Sequence, residues 1–169
     1  MYIEKVQATI AELPTLQGVT FRPCSQEEVQ ALEQFIGRPL PLAYREFLLL
    51  MGKGMDEFLR GSEIFYPTMY ELQQDAVELL KEDDFPEQLP RDAFVFFMHE
   101  GYQFNFFHTS EGDDPPVYRF YEGKDPNSFR LIYPHFTSFL VRELQNEAWY
   151  RQLIERGKQR SEGHNTSSN

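Results

Sequence analysis

Few residues in this chain are placed to do covalent chemistry. The single cysteine, Cys24, follows Pro23 at a predicted helix start. A helix dipole there could lower a thiol pKa, but no local nucleophile signature accompanies it. Of the four histidines, His99 is followed by Glu100 but lacks the second histidine four residues on that a helical zinc protease needs. His99 and His108 flank a predicted hairpin and could meet across it, yet no cysteine pair or third ligand goes with them. Carboxylate pairs occur at Asp83-Asp84 and Asp113-Asp114, with Glu111 nearby. All lie in Gly- or Pro-rich hydrophilic segments rather than in a water-poor cleft that would separate their pKa values. Ser110 to Asp114 is too short for a calcium loop, and no phosphate-cradling Gly-Lys-Ser or Gly-Lys-Thr occurs. Phe94, Phe96, Phe104 and Phe106 could stack bases, but no basic residue lies between Asp92 and Tyr118 to hold a phosphate backbone. The residues therefore give no catalytic set, no metal site and no cofactor.

The elements that carry these residues can be read from periodicity. Ile3, Val6, Ile10 and Leu13 trace one helix face, stopped at Pro14, and Thr15 to Pro23 reads as a linker. Ser25-Gln-Glu-Glu28 has the form of a capping box ahead of the stripe Val29, Leu32, Ile36, with Gly37 as terminator. Pro41 opens a third helix in its first turn, burying Tyr44, Phe47, Leu48 and Met51 and ending at Gly52. Glu63 to Tyr66 reads as a short strand, and Thr68 with Glu71 as a second capping box before Leu72, Ala76, Val77 and Leu80. An acidic loop from Glu82 to Asp92 follows. The period then changes to strands over 94–98, 103–108, 117–122 and 129–133, joined by short Gly-bearing turns. Such connections predict an antiparallel meander. Thr137 or Ser138 caps a last helix, with Phe136, Leu140 and Leu144 on one stripe and Trp149 and Leu153 on a neighbouring one. The helix is expected to end near Gly157. The expected fold is α+β: N-terminal helices and a C-terminal helix packed on an antiparallel β-meander, a single domain over 1–156 with a disordered polar tail over 157–169.

The length of 169 residues supports one substantial core, and aromatics at 15% are unusually dense. The net charge is −11, and residues 61–100 hold ten carboxylates against two cations, so most of the excess sits in that quarter. A chain this acidic is repelled by phosphate backbones and anionic lipid, which argues against nucleic-acid and membrane partners and for a basic protein. No apolar run approaches the roughly 20 residues of a membrane helix, and the N-terminus shows no secretory segment. With one cysteine, these features predict a soluble cytoplasmic protein.

Leu40-Pro41, Tyr44, Phe47-Leu48 and Gly52/Gly54 together resemble the Leu-Pro…Tyr…Phe-Leu…Gly signature of the SUKH superfamily, which includes Smi/Knr-type cell-wall regulators and many bacterial proteins. Gly101-Tyr102-Gln103-Phe104, Asp114-Pro115-Pro116-Val117-Tyr118 and Ser138-Phe139-Leu140 follow in the family's order, so the resemblance spans residues 25–145. The chain departs from the pattern at Met51-Gly52-Lys53-Gly54, where many relatives carry Asn-Gly. The resemblance implies a domain without catalytic apparatus. Bacterial members look like immunity proteins that bind a cognate polymorphic or contact-dependent toxin, often a nuclease; fungal members look like regulatory interaction scaffolds, the alternative here. An acidic inhibitor suits the basic cleft of a nuclease toxin. The anchors expected are Tyr102, Tyr118 and Tyr121, ringed by Glu100, Asp113, Asp114 and Glu122. The sequence leaves the oligomeric state open.

Overall fold

The computed structural model describes residues 1–59, 61–124 and 127–165. Along the chain come α1 (Ile3–Glu12), a 3-10 turn (Pro14–Leu16), α2 (Gln26–Ile36), α3 (Leu42–Met51), β1 (Ser62–Glu63), α4 (Met69–Glu82), β2 (Ala93–His99), β3 (Gln103–His108), β4 (Val117–Tyr121), β5 (Arg130–Tyr133) and α5 (Phe136–Asn165). The five strands form one sheet in the order β1-β2-β3-β4-β5, every pair antiparallel. This is the α+β meander expected from the spacing of the turns.

Helices cover both faces of the sheet. Because successive strand residues point to opposite faces, β3 sends Phe107 into a core built with α1, α2, α3 and α5, and sends Phe104 and Phe106 against Leu72, Ala76 and Leu79 of α4. On β2 the register slips between Val95 and Phe97, a bulge that places the consecutive Phe96 and Phe97 in the same core. Tyr44 of α3 sits at the centre of that core, its ring against Phe47, Phe94, Phe96, Phe107 and Phe136.

Local chemistry explains most boundaries. At α2 both halves of the capping box form: the Glu28 N–H donates to Ser25 Oγ at 3.3 Å and the Ser25 N–H to Glu28 Oε2 at 2.8 Å. Gly37 then ends the helix in a left-handed conformation at φ 70°. The second box does not form. Thr68 has helical backbone angles (φ −59°, ψ −27°), whereas a capping side chain needs an extended residue, and its hydroxyl donates to the Phe65 carbonyl instead. Pro41 precedes α3 as its cap residue rather than occupying the first turn. The segment 15–23 is no free linker: Leu16 is buried, Phe21 bridges to Met55, and the Arg22 N–H donates to the Gly54 carbonyl. The strand expected over 63–66 shortens to Ser62–Glu63, after which Ile64 turns into the core.

The last helix differs most from expectation. Its backbone continues through Gly157 to Asn165, and residues 166–169 of the expected tail lie outside the described residues. Phe136, Leu140 and Leu144 are buried as expected, but Trp149 and Leu153 are exposed, because the part of α5 beyond Ala148 has left the core.

Candidate partner-binding surface

Register decides which of the predicted anchors meet. Gln103 pairs with Tyr121, and the turn between β2 and β3 closes through the Tyr102 N–H donating to the His99 carbonyl. Both central residues of that turn have positive φ, Glu100 at 46° and Gly101 at 76°. This backbone suits the right-handed twist of a hairpin, which glycine adopts freely and glutamate does not. The turn pushes Glu100 into solvent and brings the Tyr102 ring onto Tyr121, centroids 5.5 Å apart and planes 28° from parallel. His99 meets Tyr102 edge-on at 5.7 Å, and Lys124 and Arg119 place their cations 4.5 and 5.4 Å from the Tyr121 ring. The Glu122 N–H donates to the Tyr102 carbonyl at 3.0 Å, locking the pair's backbone. Partial desolvation, reinforced by the Glu100 carboxylate, holds the Tyr102 phenol above its ordinary range.

The remaining predicted anchors lie toward the other end of β3 and β4, beginning with Tyr118 about 10 Å from Tyr121 along the strand. Tyr118 stacks on Phe106 and its hydroxyl donates to Glu111 Oε1 at 3.2 Å. Asp113 and Asp114 join two helix starts. The Asp113 carbonyl accepts from the Ala43 N–H of α3 at 2.8 Å, and the Asp114 carboxylate accepts from both the Thr137 N–H and the Thr137 hydroxyl of α5. Asp114 is thus engaged inside the fold. The seven residues do not form one patch: Glu100, Tyr102, Tyr121 and Glu122 share one end, and Asp113, Asp114 and Tyr118 share the other.

The first end opens onto a feature the predicted anchors only touched. Glu63 of β1, Asp75, Glu78 and Glu82 of α4, and Glu100 of the hairpin line a groove of about 390 Å³ floored by Leu79 and Met98. No lysine or arginine is among its described lining residues. On α4 the spacing of Asp75, Glu78 and Glu82 is three and four, which sets them on one helix face. That spacing was the signal available in the sequence for the groove. The acidic loop after α4 is anchored rather than free, since Phe85 packs against Phe120 and Phe129 at 4.9 and 5.0 Å.

The groups considered for chemistry are all held in other ways. His99 and His108 stand at opposite ends of the β2–β3 hairpin, paired with Gln103 and Ala93, so they cannot share a ligand. His99 Nδ1 bonds Ser62 Oγ at 2.9 Å. His108 Nδ1 meets Asp92 Oδ1 at 2.8 Å, while the Ser110 hydroxyl donates to Asp92 Oδ2. Serine, aspartate and histidine do meet here, but the carboxylate stands between the other two and the serine proton is directed to it. A nucleophilic triad needs the imidazole on the serine oxygen. The Ser110 and His108 bonds hold the Asp92 carboxyl below its ordinary range. Cys24 is buried, and desolvation together with the Glu28 carboxylate pushes its thiol up to about 11, against the lowering a helix start could have given. Among the described residues no group of three His, Cys, Asp or Glu is placed to hold a metal ion.

The fold and this surface define an α+β domain whose antiparallel meander, helix-covered on both faces, carries at one end a carboxylate-lined groove on the α4 face and a stacked tyrosine pair on the other. Residues 23–142 match the model of the SMI1 / KNR4 family (SUKH-1), and the chain belongs to that family. Among curated proteins none matches the chain. The match ends at Arg142, so α1 and all of α5 beyond its first two turns lie outside the family domain. No described helix is long and apolar enough to cross a membrane.

Proposed function

We propose that this protein is a non-enzymatic immunity protein that binds and neutralises a cognate polymorphic or contact-dependent toxin in the cytoplasm, the toxin being a nuclease with a basic cleft. The observation that supports this reading is the convergence of Glu63, Asp75, Glu78, Glu82 and Glu100 on one groove, with the Tyr102–Tyr121 pair at the same end of the sheet on its other face. A cleft that holds phosphates is lined with lysine and arginine. A row of carboxylates over an apolar floor offers those side chains charge-assisted hydrogen bonds in place of the nucleic acid. Its field steers the encounter, and the stacked aromatic pair at the same end of the sheet supplies rigid contact area.

The test is to measure binding of the basic toxin domain encoded by the adjacent gene, with an unrelated acidic protein of equal charge as control. Tight binding that weakens as salt rises, and that is lost in the double variant Asp75→Lys/Glu78→Lys, supports the reading. Binding no stronger than that of the control protein overturns it.

A further inference from the structure

β2 reads Ala-Phe-Val-Phe-Phe-Met-His over Ala93–His99, with no carboxylate, lysine, arginine, proline or glycine. A run of that length and composition has the make-up of strands that stack into cross-β fibrils. In the sheet, β3 pairs with one side of it along its length. On the other side β1 is two residues long and pairs with Met98 and His99. Among the described residues no strand stands beside Ala93–Phe97 on that second side. Backbone groups left open along such an edge are a template for another chain.

A side chain of α4 closes this edge. The Val95 N–H donates to Gln73 Oε1 at 3.0 Å, and Gln73 Nε2 donates to the Val95 carbonyl at 2.6 Å. A residue of an antiparallel strand turns both backbone groups to the same side. Both groups of Val95 are taken by the Gln73 carboxamide, which offers the donor and acceptor that a neighbouring strand would. Gln73 Nε2 also donates to the Met69 carbonyl, one helical turn back, at 2.9 Å, and this bond fixes the direction of the amide from α4. Val95 is fully buried, so its backbone groups cannot turn to water once the amide is gone. We propose that Gln73 is an edge guard: its carboxamide stands in for a strand beside Val95 and keeps the 93–99 run from pairing with a second copy of this chain. Without it, two buried groups regain partners when α4 lifts and the strand of another copy adds in its place. The device is independent of what the acidic groove binds.

The experiment uses the full chain. Gln73→Met keeps side-chain length and helix propensity while removing all three bonds. Circular dichroism should show a folded chain, and amide exchange at Val95 should quicken by about tenfold or more, the factor that one unpaired buried group gives. The variant should form thioflavin-positive fibrils several-fold sooner than the parent, with 93–99 inside their exchange-protected core. Gln74→Met, whose amide bonds Glu78 on the exposed side of α4, should behave as the parent does. Asp114→Ala, which loosens the start of α5, separates the guard from a general loss of stability. Compared at equal fraction unfolded, it should form fibrils more slowly than Gln73→Met. Should Gln73→Met not fold, Gln73→Glu, which retains the acceptor for the Val95 N–H, takes its place in the same comparison. Fibrils no faster than those of Asp114→Ala overturn the proposal. So do fibrils whose protected core leaves out 93–99, or Val95 exchange equal to the parent's.

Discussion

Asp114 grips Thr137 at two points: one carboxylate oxygen accepts the Thr137 N–H at 2.9 Å and the other accepts its hydroxyl. Its own carbonyl accepts from His135 Nδ1 at 3.1 Å, so a single residue of the β3–β4 loop fixes the start of α5. Its neighbour Asp113 contributes only a carbonyl, to the start of α3.

The two adjacent aspartates should therefore separate cleanly. Asp114→Ala removes a helix cap and should lower stability by about 1–2 kcal/mol, seen as a fall in Tm. Asp113→Ala keeps its backbone bond and should leave Tm within about 0.5 kcal/mol equivalent of the parent. Equal losses from the two would show that the carboxylate is not the cap.

Tyr44 gives the converse case, a polar atom whose removal should help. Its hydroxyl is fully buried with no hydrogen-bond partner among the described residues, while its ring is clasped by phenylalanines. Burial drives its phenol well above the ordinary range. Tyr44→Phe keeps the ring and removes an unsatisfied group, so chemical denaturation should show stability unchanged or raised by about 1 kcal/mol. Tyr44→Leu, which empties ring volume, should lose about 2 kcal/mol or more.

Much of this architecture was legible in the sequence, because it rests on local rules. The alternation in 94–108 and the glycines at turns announce the meander, and Tyr44, Phe47, Leu48 and Met51 announce the buried face of α3. What could not be read depends on register or on distant partners. Tyr102 lies on Tyr121 only because Gln103 pairs with Tyr121. The bulge that turns both Phe96 and Phe97 inward leaves no mark in a run of apolar residues. Asp114 looked like a surface acid because Thr137 is 23 residues away. The second capping box failed for a local reason of another kind: the motif at Thr68 was present, but the chain enters α4 already helical.

Cys24 should behave as a core thiol. With its pKa raised from 9.0 to about 11, it should be almost unreactive toward iodoacetamide at pH 8 in the native state and react at once when the chain is unfolded. Gly52 packs against it so closely that an added Cβ would stand 2.6 Å from the sulfur. The linkage has a definite sign. The folded thiol keeps its proton where the unfolded thiol loses it, so its contribution is complete below about pH 9 and is lost as pH climbs toward about 11. Cys24→Ala should flatten that part of the stability profile; a profile identical to the parent's would remove the thiol as its cause.

At the acidic end, charge and aromatic contact should act on different rates. Glu78 sits on the groove-facing side of α4 and contributes field rather than packing, so Glu78→Lys should slow association with a basic partner and reduce the salt dependence of the rate. Tyr102 contributes a ring held flat by Tyr121, so Tyr102→Ala should leave association nearly unchanged and speed dissociation. The same variant removes a stacked pair and should slightly lower the stability of the free domain, which denaturation of the uncomplexed chain measures separately. Stopped-flow association and dissociation at two salt concentrations check both. If Tyr102→Ala instead altered the association rate and its salt slope, the tyrosine pair would be acting through the placement of Glu100 on the turn, and the ring itself would not be the contact.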